Sequence, residues 1–279
     1  MLLDLSYAER QLIAVADDQV VEAQIQAERE AEEQKSTTKQ RVDWNEVGRW
    51  ALRIVFGGST IALTEAAIEG IKALYQLRNR GIHAVSVGRR EASQLRFPPG
   101  HPRDGVLYIG HPGIPSVYYT TAQFHRLTFE HKFAEAIRLL MSLGATELAV
   151  EHVSGWSREF SAKLSVPLAP VKAEIGASAG ATQGSGSHLL FKAELKGTSN
   201  PTIPNNLVWY PHEPTWQELA EGRIQFGLKS FSLSVRYEDD FGVNAGLKVA
   251  ATNAGLNLGG NFEDHQSTVW QIAAKFDTA

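Results

Sequence analysis

The residues of this 279-residue chain that could do chemistry fall into three groups. Gly176-Ala-Ser-Ala-Gly180 has the spacing of a nucleophile elbow, in which a strand turns sharply into a helix and lifts a serine hydroxyl toward an acyl substrate. Here the motif sits inside an alternating segment, with Ala177 and Ala179 continuing an apolar face, and the Ala181-Thr-Gln-Gly-Ser-Gly stretch after it has no helical character. The segment therefore predicts a strand and a loop, and no serine nucleophile. His101, His111, His125, His131 and His152 lie close together in sequence, with Glu130 beside His131. No two of them stand at the i,i+4 spacing that puts a pair of ligands on one helix face, and H-E-x-x-H is absent, so scattered polar histidines are expected and no metal is assigned. Gly57-Gly-Ser-Thr60 lacks the lysine of a phosphate loop and predicts a helix break. No catalytic residue and no cofactor site is expected.

Bulk properties narrow the class further. With 43% hydrophobic and 21% charged residues the chain can bury a substantial core. A formal net charge of -4 supplies no basic field for a phosphate backbone, which argues against nucleic acid as a partner. The lack of cysteine removes disulfides, thiol nucleophiles and thiolate metal sites. Met1-Leu-Leu-Asp-Leu-Ser has no basic stretch ahead of an apolar one, so cytoplasmic synthesis is expected, with membrane association reserved for an activated state. No apolar run is long enough for a spanning helix.

The elements that would position these residues divide the chain into three parts. Residues 1–42 hold a helix opened by Ser6 and Glu9 as a capping box and carried through Leu12, Val15 and Val20 to Gln34, then a linker. Residues 43–155 begin with a helical pair or one kinked helix ending at Arg80-Gly81, which packs as a core hairpin or engages a membrane or partner. After the Pro98-Pro-Gly-His-Pro102 loop come strands at Val106–Ile109 and Ser116–Thr120, a helix over Phe129–Leu143 stopped by Gly144, and a strand at Leu148–Val153.

In residues 156–279 the hydrophobic period shifts from that of a helix to two. A first copy of a three-strand unit runs through Phe160–Leu168, then Val171, Ala173, Ile175, Ala177 and Ala179, then Leu189–Leu195. A second copy runs through Phe231–Tyr237, then Val243, Ala245, Leu247, Val249 and Ala251, then Trp270–Phe276. Thr215-Trp-Gln-Glu218 opens a short helix between the copies, and Arg223–Lys229 supplies a further strand. The expected fold is α+β, with a carboxy-terminal antiparallel sheet built from a twofold repeat. Small apolar residues on one face and Lys172, Glu174, Asn244 and Lys248 on the other make the second strands the candidates for membrane insertion or interaction.

The Arg223–Val235 stretch, followed by Val243-Asn-Ala-Gly-Leu-Lys-Val and His265-Gln-Ser-Thr-Val-Trp-Gln-Ile-Ala-Ala-Lys-Phe, resembles the trypsin-co-occurring domains of bacterial conflict systems. The first copy, through Ser187–Leu195, is similar to a degenerate second instance. That resemblance implies a small β-rich module partnered with a peptidase, and it carries over no site residue. Three functions are consistent with these readings. One is a non-enzymatic defence effector or adaptor that forms homo-oligomers and opens pores in lipid through amphipathic hairpins. Another is an interaction module whose sheet edges pair with a peptidase, another partner or themselves. The third is a metal-dependent hydrolase built on the histidine-rich block.

Overall fold

The computed structural model describes residues 2–22, 24–26, 28–29, 65–156 and 189–276. In chain order the elements are α1 (Tyr7–Arg10), β1 (Leu12–Ala16), α2 (Glu65–Asn79), β2 (Val85–Gly88), α3 (Arg89–Ala92), β3 (Leu107–Gly110) and β4 (Tyr118–Thr120). They continue with α4 (Phe124–Ser142), β5 (Ala145–Ser154), β6 (Leu189–Glu194), α5 (Pro214–Phe226), β7 (Ser230–Tyr237), α6 (Ala245–Asn253) and β8 (Thr268–Phe276). The fold is α+β, with a mixed four-stranded sheet in the order β2-β1-β3-β4 and an antiparallel one in the order β6-β5-β8-β7. No helix among the described residues is long and apolar enough to cross a membrane. The chain forms two compact units that interleave along the sequence: Met1–Leu127 with Asp240–His265, and Thr128–Asp239 with Gln266–Ala279.

In the first unit, β1 pairs in parallel with β2 and antiparallel with β3. Its Leu-Ile-Ala-Val-Ala sequence is apolar throughout because both faces of the strand are covered. Leu12 and Ala14 join a core with Leu107, Ile109, Leu74 and Leu77, while Ile13 and Val15 join another with Val87, Tyr108 and Tyr118. This corrects the expected long first helix. The capping box does form, with the Glu9 carboxylate accepting the Ser6 backbone N–H at 3.0 Å, but it opens a single turn before β1 begins. A local capping signal fixes where a helix starts; an apolar run rich in Ile and Val, buried on two sides, decides that it stops.

A second correction concerns Val243, Ala245, Leu247 and Val249. The expected strand is helix α6, so the second copy does not have the strand-strand-strand order of the repeat. Leu247, Ala250, Ala251 and Ala254 are buried, a spacing of three and four, whereas Val249 is 56% exposed. Asn244 fixes the start, its side-chain oxygen accepting from the N–H groups of Gly246 at 3.0 Å and Leu247 at 3.3 Å. Val243 precedes the helix and is fully buried. The corresponding candidates Val171, Ala173, Ile175 and Ala177 lie outside the described residues, as do Gly176–Gly180, Gly57–Thr60 and the first strand of the first copy.

The second unit is built on the alternating strands. Leu148 and Val150 of β5, Leu233, Val235 and Tyr237 of β7, and Trp270, Ile272 and Ala274 of β8 are all buried. Trp270 lies between the rings of Phe129 and Phe133 of α4, at centroid distances of 4.8 and 5.2 Å. Edge-to-face geometry lets each ring put its positive rim on its neighbour's electron-rich face. The expected strand over Arg223–Lys229 is instead the last turn of α5, which ends at Gly227 in the left-handed conformation (φ 65°). Arg223 turns inward to donate from Nε to the Leu143 carbonyl and from Nη1 to that of Leu228.

Candidate interaction site

The alternation that builds β7 also determines what it offers to a partner. Phe231, Leu233, Val235 and Tyr237 lie on the core side, and Ser230, Ser232, Ser234 and Arg236 on the other. Among the described residues, β7 is the last strand of its sheet and pairs on one side only, with β8, in an unbroken register from Ser230↔Lys275 to Tyr237↔Thr268. The Phe276 N–H donates to the Lys229 carbonyl at 2.8 Å, which makes that position a hydrogen-bonded pair. Such pairs alternate along an antiparallel ladder, so the residues bonded to β8 are 231, 233, 235 and 237. The N–H and C=O groups of Ser230, Ser232, Ser234 and Arg236 therefore point to the open edge.

Proteins usually blunt such an edge with proline, lysine or a bulge. β7 has none of these: eight residues, no interior proline or lysine, and a constant register. Ser230, Ser232 and Arg236 are exposed and Ser234 is half-buried, which leaves the edge accessible. The neighbouring solvent face of the sheet is held by charge. Glu147 on β5 accepts from Lys275 of β8 at 3.0 Å and pairs with Lys192 of β6 at 2.9 Å. Lys192 and then Lys275 hold its carboxyl below the usual glutamate range.

The histidines do not converge. His101 Nδ1 meets the Tyr108 hydroxyl at 2.7 Å, His111 Nδ1 accepts from the N–H groups of Gly113 and Ile114, and His152 Nε2 meets the Gly155 carbonyl at 3.2 Å. His131 Nδ1 accepts from Trp209 Nε1 at 2.9 Å. His125, fully buried, donates from Nε2 to the Val243 carbonyl at 2.5 Å, with the His265 ring edge-on at 5.1 Å. Among the described residues no group of three or more His, Cys, Asp or Glu side chains could hold a metal ion.

Buried charge near His131 also serves the framework. The Glu135 carboxylate, 3% exposed, accepts the backbone N–H groups of Val208, Trp209 and Tyr210 at 2.6–2.8 Å, and Lys132 pairs with Glu213. These contacts tie residues 208–213 to α4. Sequence reading located β7 as a strand but not as an edge; the available signal was serine at alternate positions with no charge or proline between them. No protein-family model, curated protein or solved structure matches the chain.

Proposed function

We propose that this chain is a non-enzymatic interaction protein, acting in the cytoplasm, that assembles through strand addition at β7, with a second copy of itself as the first partner. The observation that supports this reading is the unblunted edge of β7, with the backbone groups of Ser230, Ser232, Ser234 and Arg236 turned outward. An antiparallel pairing of two copies about a twofold axis at Leu233 sets Ser232 opposite Ser234 and Ser230 opposite Arg236. Each edge group then finds a partner and no arginine faces another. Such a ladder would hold about eight backbone hydrogen bonds, each contributing a net ~0.5–1.5 kcal/mol. Loss of translational and rotational freedom opposes this by an amount of the same order, so a concentration-dependent dimer is expected.

Light scattering over a concentration series tests the idea. The wild type should move toward twice its 30.6 kDa mass as concentration rises. Ser232→Pro removes an outward N–H at a position where an edge strand tolerates proline, and should stay monomeric with an unchanged fold. A wild type that remains monomeric throughout, or a Ser232→Pro protein that dimerises as well as wild type, would sink the proposal. Capture of a heterologous partner, such as the peptidase implied by the family resemblance, in place of self-association would also overturn the homodimer.

A further inference from the structure

We draw no further inference here: the strongest candidate, the cavity of the first unit lined by Leu2, Val21, Val85 and Val87, carries none, because its Glu28 carboxylate is already held by Arg78 and Tyr75 and its Glu91 carboxylate by the Leu2 N–H, and nothing in the structure shows what would occupy it.

Discussion

His125 shows how burial sets the behaviour of a single side chain. It lies in the first turn of α4, wholly removed from solvent, and its Nε2 proton is committed to the Val243 carbonyl. Burial pushes its pKa below the ordinary histidine value, outweighing the hydrogen bond to Val243 and the nearby carboxylates of Asp240 and Asp264, which favour the charged ring. In the unfolded chain the same ring takes up a proton near pH 6.5, while in the fold it stays neutral further down. As pH falls below about 6.5 the unfolded state therefore binds more protons, and stability declines until the folded pKa is passed. Urea midpoints should accordingly drop between pH 7 and 5. His125→Gln, which keeps an N–H donor for Val243, should flatten that decline, leaving the slope from His101, also lowered by burial. Asp240, held below its usual range chiefly by Asn244 and the Gly242 N–H, contributes in a separate window below about pH 4. A slope identical in the two proteins would assign the linkage to other groups.

At the scale of elements, α6 separates two readings of one sequence. A strand would place Leu247 and Val249 on the same face; the helix buries the first to 5% and leaves the second 56% exposed. Leu247→Ala should cost about 2–5 kcal/mol in denaturant unfolding, and Val249→Ala no more than about 0.5 kcal/mol. Equal losses at both positions would contradict the helix. The same segment shows why the sequence was only partly legible. Positions 243–251 alternate, and positions 247, 250, 251 and 254 also follow a helical spacing, so hydrophobicity alone does not choose. The choice is made by Asn244, whose side chain caps the first turn, and by Gly255, whose φ of +89° ends the last. β7 and β8 were legible because one face of each is buried and the other wetted. β1 misled in the opposite direction, since a genuine capping box precedes a strand whose two-sided burial comes from residues far away in sequence. The outer position of β7, on which the candidate site depends, follows from strand order, and the alternation of a strand carries no information about its neighbours.

For the whole molecule, the interleaving of the two units makes the carboxy-terminal forty residues matter to each in a different way. Asp240–His265 belongs to the first unit, where Leu247, Ala250 and Ala251 of α6 and the following Leu256 and Leu258 share a core with Leu12, Leu107 and Ile109. The Leu107 N–H donates to the Asn257 carbonyl and the Ala122 N–H to that of Leu258, so this stretch also satisfies backbone groups beside β3 and before α4. Gln266–Ala279 belongs to the second unit, where β8 is an inner strand bonded to β5 on one side and β7 on the other. Two truncations should therefore differ in kind. Ending the chain at His265 removes β8 and leaves the first unit every described segment it uses. Hydrogen exchange should then show protection retained at Leu12–Ala16 and Leu107–Gly110 and lost along β5 and β7. Ending it at Asp239 also withdraws α6 and its loop, strips one face of the first sheet of buried side chains, and should abolish protection in both sheets. Loss of protection at Leu12–Ala16 in the chain ending at His265 would show that the first unit does not fold without the second. Protection there in the chain ending at Asp239 would show that β1–β4 need nothing from residues 240–265.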